Sequence, residues 1–340
     1  MKLPGSDRVR RMVRRIAPKA LILMYHRVAV QPSDPQLLCV TPAHFAEHMQ
    51  VLRRNYHPVR LQSLRQRQVY NFWPFGSVAI TFDDGYADNF QPGCAILEAQ
   101  DLPATIFVTS GKVDAQQEFW WDELDRIFLF TAVLPAHLEI LINRKAYIWD
   151  FDGISALPTA PAWNVLSESV PTQRHQAYLD LMKALHDLDV DAREAALSEL
   201  ASWAGMDRNQ GRQAALPIKG DELRGLPSNG LIEIGAHTVN HVSLSVLPVE
   251  AQEKEIIESK IVLEKILDRP VVSFSYPFGG RSDYTPDTVR LVREAGFSCA
   301  CSNFQGRVTM LSDPYQLPRF IVRDWDGETF ARQLREWFGG

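Results

Sequence analysis

Two short stretches of this chain hold residues suited to hydrolytic chemistry. The first is Thr81-Phe82-Asp83-Asp84-Gly85, adjacent carboxylates at the end of an apolar run with glycine behind them. Neighbouring side chains of a regular strand face opposite ways, so the two acids converge only where the strand stops and Gly85 lets the chain turn. Taken alone, the pattern equally describes a strand-to-turn junction with an aspartate capping the next helix. The second stretch is His237-Thr238-Val239-Asn240-His241, which follows an apolar run and a break expected at Gly235. Histidines four apart share one face of a helical turn, with β-carbons about 5–6 Å apart, so both imidazoles can reach one ion. Alone, they equally describe two surface histidines among the nine in the chain. The glutamate that follows the first histidine in helical zinc proteases is missing, which disfavours that class.

Together the stretches supply two imidazoles and a carboxylate, a ligand set that leaves a coordination position open, plus one spare carboxylate. A dication so held lowers the pKa of bound water to about 7 and polarises a carbonyl, while the spare carboxylate accepts the proton. The chemistry implied is hydrolysis of an amide or ester.

The elements that must position these residues read as parallel βα units, because short β-type runs alternate with amphipathic patterns. The expected strands are 21–25, 78–82, 105–108, 231–234, 271–275, 297–301 and 320–322. Thr41-Pro42 reads as a helix start with Phe45, Met49 and Leu52 as its apolar stripe, and further helices are expected over 89–100, 249–267 and 286–295. Residues 124–227 break the rhythm and read as an α-rich insertion: a hairpin over 137–151, then charged helix over 173–203 with Leu179, Met182, Leu185 and Leu188 inward. The same segment is long enough to hide one barrel strand.

Bulk composition narrows the partners. With 46% hydrophobic residues in 340 the chain can build a core, while a net charge of −5 argues against nucleic acid. Cys39, Cys94, Cys299 and Cys301 have neither zinc-knuckle spacing nor disulfide-scaffold density and read as reduced thiols, Cys299 and Cys301 on one face of a strand. The apolar run 20–24 is too short for a signal-peptide core and no stretch is long enough to span a bilayer, so a cytoplasmic protein is expected. Residues 1–19 form a separate basic segment before a domain over 20–340. There Lys2, Arg8, Arg10, Arg11, Arg14, Arg15 and Lys19 accompany Val9, Met12, Val13 and Ile16 at helical spacing. Such a helix either lies on the inner membrane face as a peripheral contact or docks on the domain.

At its two motifs the sequence resembles the polysaccharide deacetylases, the NodB-homology family or carbohydrate esterase family four. The likeness covers roughly 20–123 and 228–323 and leaves the insertion out. It implies a distorted (β/α) barrel of about seven parallel strands, one divalent metal ion, and removal of acetyl groups from an N-acetylated glycan. In that likeness Asp83 is the general base, and Asp84, His237 and His241 hold the metal. Two imidazoles and a carboxylate suit zinc, and nickel, cobalt or iron accept similar ligands. The family's third motif, Arg-x-Pro-Tyr or Phe, corresponds to Ser275-Tyr276-Pro277-Phe278-Gly279. It puts Tyr276, Pro277 and Phe278 on the substrate side, with the Phe278 N–H facing a developing oxyanion, a contact that can contribute about 3–4 kcal/mol.

The motif's arginine is absent, and Arg319 is a candidate for its place or else a surface arginine beside a strand. No histidine follows His241. The sequence is similar here to members with a permuted motif order, in which an early Tyr-His pair supplies the general acid, and Tyr25-His26 ends the first strand. A histidine at such a place can also simply pack. In Phe119-Trp120-Trp121-Asp122, Asp122 could bind Arg319 or a sugar hydroxyl, or the tryptophans could cover the insertion's root. A deformylase or O-deacetylase shares all these residues, and a non-catalytic carbohydrate-binding protein is the third reading.

Overall fold

The computed structural model describes residues 19–69, 74–151, 163–226 and 230–339. The basic segment 1–19 therefore lies outside the described residues apart from Lys19.

In chain order the strands are β1 (Ala20–Tyr25), β2 (Arg27–Val28), β3 (Cys39–Val40), β4 (His57–Pro58), β5 (Ser77–Phe82), β6 (Ala104–Val108), β7 (His137–Ile142), β8 (Lys145–Asp150), β9 (Ile232–Ala236), β10 (Ser273–Ser275), β11 (Cys299–Cys301) and β12 (Phe320–Ile321). Seven of them form one parallel sheet in the order β11-β10-β9-β6-β5-β1-β12, with β4 paired to the start of β5. The sheet curls through 243° into a half-barrel, the distorted (β/α) barrel expected. Every residue of β1, β5 and β6 is buried, because parallel strands covered on both faces need continuous apolar runs rather than alternation. Thr41, Thr285 and Asp326 cap outer helices Pro42–Asn55, Pro286–Glu294 and Gly327–Phe338 by accepting backbone N–H groups.

Three expectations change. Gly235 does not break β9 but lies inside it, opposite Phe107. A β-carbon there would fall 2.4 Å from the Phe107 ring, so the glycine serves close packing rather than a turn. The helix expected over 89–100 is regular only from Ala95 to Ala99, since Gln91 is extended and Pro92 has no N–H to offer. The last helix, Gly327–Phe338, was not anticipated.

Between β6 and β9 no described residue adds a strand to the main sheet. The segment instead holds the antiparallel hairpin β7–β8 and the helices Gln173–His186 and Val190–Trp203. Leu138, Ile140 and Ile142 alternate inward on β7 and join Tyr178, Leu181, Leu185, Leu188 and Leu197 in a core of their own, continuous with Tyr86 at the barrel mouth. Leu179 and Met182 are only half-buried. All four cysteines are free and buried, Cys299 and Cys301 together beneath the sheet. None of the described helices is long and apolar enough to cross a membrane.

Candidate active site

The catalytic candidates sit just past the carboxyl ends of the strands, where a parallel sheet opens its cleft. His26 follows β1, Asp83 and Asp84 follow β5, His237 follows β9, Phe278 lies beyond β10, Asn303 beyond β11 and Arg323 beyond β12. All seven line one cavity of about 310 Å³.

The two carboxylates converge because the chain turns through consecutive left-handed residues, Asp84 at φ 73° and Gly85 at φ 83°. Aspartate tolerates that region better than most residues. At Gly85 a β-carbon would also lie 3.1 Å from Val108, so glycine is required on both counts.

His237 and His241 do not lie on a helical turn, as their spacing suggested. They sit on a loop in which Thr238 and His241 adopt positive φ, and it is the reversal at these residues that brings the rings together. Glu255 of the helix Val249–Leu267 pins the loop by accepting the N–H groups of Val239 and Asn240, both at 2.9 Å, and the Asn240 side-chain amide at 2.6 Å. From the insertion, buried Arg193 donates to the carbonyls of Asn240 at 2.8 Å and His241 at 3.2 Å.

Asp84 Oδ1 lies 3.5 Å from His237 Nε2 and 3.2 Å from His241 Nε2. Ligand atoms of the three fall within 4.8 Å of one another, a possible metal site. The donor set fits a divalent cation. His237 Nδ1 lies 2.7 Å from the Ser275 carbonyl, which can only accept; this makes Nδ1 the protonated nitrogen and turns the Nε2 lone pair towards the carboxylate. An acceptor facing an acceptor is the arrangement a cation resolves. Burial pushes the His241 pKa down to about 4, against the opposing pull of Asp84, so the ring stays neutral and free to ligate.

Arg319 is not a surface residue. It is 1% exposed, and its Nη1 and Nη2 each donate to an oxygen of Asp83 at 2.6 Å. Nη2 also reaches Ser275 Oγ at 2.9 Å, and Nε reaches the Ser302 carbonyl at 2.8 Å. Ser275 in turn donates to Asp83 Oδ2 at 3.3 Å. Burial favours protonated Asp83, but the Arg319 charge overcomes it and lowers the pKa.

His26 lines the cavity beside these groups. Its pKa is lowered by burial, with Asp84 and Asp83 pulling the other way. Tyr25 points into the core, stacked on Phe82 with its hydroxyl 3.3 Å from His48 Nδ1.

Three expected members are elsewhere. The Tyr276 side chain is buried away from the cavity, its hydroxyl on the Tyr315 carbonyl and its ring against Tyr284, because it alternates with Ser275. Pro277 is likewise buried, in the turn closed by Gly279 N–H on its carbonyl, and of the three only Phe278 lines the cavity. Asp122 does not meet Arg319. It accepts from the Tyr86 hydroxyl at 2.6 Å and lies 3.8 Å from Arg27, with burial pushing its pKa up to about 6. Its neighbour Trp121 takes the place by the site, its ring 4.6 Å from that of His241.

Missed altogether were Arg193, Glu255, Asn303 and Arg323. For the last two a signal existed, since each stands one or two residues beyond a strand end. Met182, expected only as an inward residue, also lines the cavity.

Comparison with known proteins decides the family. The family model for polysaccharide deacetylase matches residues 74–130 and 172–300. The chain belongs to the polysaccharide deacetylase family. The match takes in the helices Gln173–His186 and Val190–Trp203, which the sequence reading had left outside the likeness, and omits the hairpin β7–β8. Among solved structures the deacetylase resembles Streptococcus pyogenes deacetylase PplD in complex with acetate, with 17% identity, a TM-score of 0.58, and 94% of this chain and 99% of that one covered. It also resembles IcaB from Ammonifex degensii, with 17% identity, a TM-score of 0.57 and coverage of 95% and 97%. A de-N-acetylase from Aggregatibacter actinomycetemcomitans matches at 13% identity and a TM-score of 0.55, over 93% and 100%. At these identities the likeness is one of fold. No curated protein matches the chain.

Proposed function

We propose that this deacetylase removes acetyl groups from an N-acetylated sugar of an oligosaccharide, polysaccharide or glycolipid precursor in a metal-dependent hydrolysis. The observation that carries the reading is the cluster of Asp84, His237 and His241 beside the Asp83–Arg319 pair. Asp84, His237 and His241 would hold the metal, with zinc suited to the set and nickel, cobalt or iron able to replace it. Bound there, a divalent cation supplies a Lewis acid that polarises the acetyl carbonyl and eases deprotonation of water.

The chain's own groups supply the rest. Asp83 accepts the proton of the attacking water, held ionised and oriented by the fork of Arg319 and by Ser275. The Phe278 N–H donates to the developing oxyanion. His26 protonates the departing amine, and the burial that lowers its proton affinity makes it a ready donor once charged. Trp121, Leu38, Val165 and Met182 give the cavity an apolar wall on which a sugar ring can lie.

The four buried free thiols support a reducing compartment, here the cytoplasm, with the basic segment 1–19 touching the inner membrane face. Vesicle sedimentation with and without that segment tests the contact, and equal partitioning of the two forms rejects it.

The function is tested by release of acetate from N-acetylated and O-acetylated glycans and of formate from N-formylated ones. The reading predicts release from the N-acetylated members, lowered on the order of 10²–10⁴-fold by Asp83→Asn. Exclusive turnover of the O-acetyl or formyl substrates overturns it.

A further inference from the structure

The charges around the cavity are matched except for one. Arg319 pairs with Asp83, and Asp84 faces the two histidines. Arg323 lines the same cavity with no carboxylate within 4.0 Å among the described residues. Its Nη1 is spent on the carbonyls of Gln36, at 3.2 Å, and Leu37. Asp34, the acid whose field reaches it, has both oxygens committed to the N–H groups of Leu38 and Cys39 at 2.8 Å. Beside Arg323 the cavity is lined by two side-chain amides, Gln36 and Asn303, bonded to the Tyr178 hydroxyl and the Phe278 carbonyl. Half-burying a guanidinium with no carboxylate in contact is unfavourable unless a ligand brings one, and the fork geometry matches a carboxylate or phosphate.

We propose that Arg323 binds an oxyanion, a carboxylate or a phosphate, carried by the glycan next to the sugar being deacetylated, so that the preferred substrate is an anionic saccharide. The apolar part of the lining takes the sugar ring, and the arginine sets its direction. Burial lowers the proton affinity of Arg323, the consequence expected of a cation awaiting its partner. A purely structural arginine, tying down the Gln36–Leu37 carbonyls, would affect charged and neutral substrates alike.

The inference rests on the deacetylase reading, and the experiment separates the two. Wild-type protein, Arg323→Gln and Arg323→Lys are assayed on three N-acetylated disaccharides: a neutral one, one with a uronic acid carboxylate, and one with a reducing-end phosphate. Binding of all three is measured alongside by calorimetry. Wild-type kcat/KM should favour one charged disaccharide about tenfold or more, mainly through KM, and the favoured one tells carboxylate from phosphate. Arg323→Gln should remove the preference, and Arg323→Lys should keep part of it. No preference in the wild type, or equal losses on charged and neutral substrates, overturns the inference. Preferential binding of a charged disaccharide without acetate release from any of the three retains the anion site and rejects the deacetylase reading.

Discussion

Arg319 meets Asp83 end-on, Nη1 to Oδ1 and Nη2 to Oδ2 at 2.6 Å each, with both groups shut away from solvent. Such a pair fixes the carboxylate in direction as well as in charge, which a general base needs and a lone buried aspartate lacks. Arg319→Ala would leave Asp83 buried and unpaired. The expected loss is about 3–5 kcal/mol of stability, read by denaturant unfolding, with activity abolished. Arg319→Lys keeps the charge without the fork and should retain more stability than activity.

The same pair sets an acid limit. The folded pKa of Asp83 is depressed, so its contribution to stability is present above the unfolded value near 3.8 and is lost as pH falls through the folded value. Unfolding free energy should therefore fall more steeply below about pH 4 in the parent than in Asp83→Asn. Parallel acid profiles would show that the pair adds nothing to folding.

His186 works in the opposite sense. At the end of the insertion helix it lies 3.3 Å from Asp283 and packs at a tilt against the Phe278 ring, and the hydrogen bond to Asp283 raises its pKa against its burial. Its contribution is complete below the unfolded value of 6.5 and is lost as pH rises through the higher folded value. Asp283→Asn should lower the His186 pKa in an NMR titration and weaken the pH dependence of stability above pH 6.5. An unmoved titration would place the raising charge elsewhere, on Asp187.

Glu255 and Arg193 hold the loop that carries both histidines without touching either ring. Glu255→Ala should weaken metal affinity about 10–100-fold, as loss of an outer support typically does, and leave the ligand set intact. Competition with a chelating dye measures it. Unchanged affinity would mean that the loop holds its shape unaided.

What the sequence shows of this site follows from how each residue does its work. Asp83, Asp84, His237 and His241 are legible because the ligation and proton transfer proposed for them would demand particular side chains at close spacing. The seven-strand sheet is legible because strands buried on both faces are continuous apolar runs. Arg319 was only a candidate, since its partner is 236 positions away and nothing local marks the pair. Arg193 and Glu255 act on backbone groups, which any sequence could present at that loop, so no pattern announces them. Tyr276 was misplaced because a motif names residues without their faces, and strand alternation gives the inward position to Ser275. The helical reading of His237 to His241 failed for a related reason. Two left-handed residues bring the rings together as well as a helical turn would, and the spacing is the same.

The account stands on a single divalent ion held by Asp84, His237 and His241 and required for deacetylation. Elemental analysis of purified protein, with acetate release measured on the same samples, tests this most directly. The account predicts about one divalent ion per chain in the parent, and loss of both ion and turnover in His237→Ala/His241→Ala. A double variant that keeps one ion per chain, or stripped protein that releases acetate at the parent rate, would contradict it.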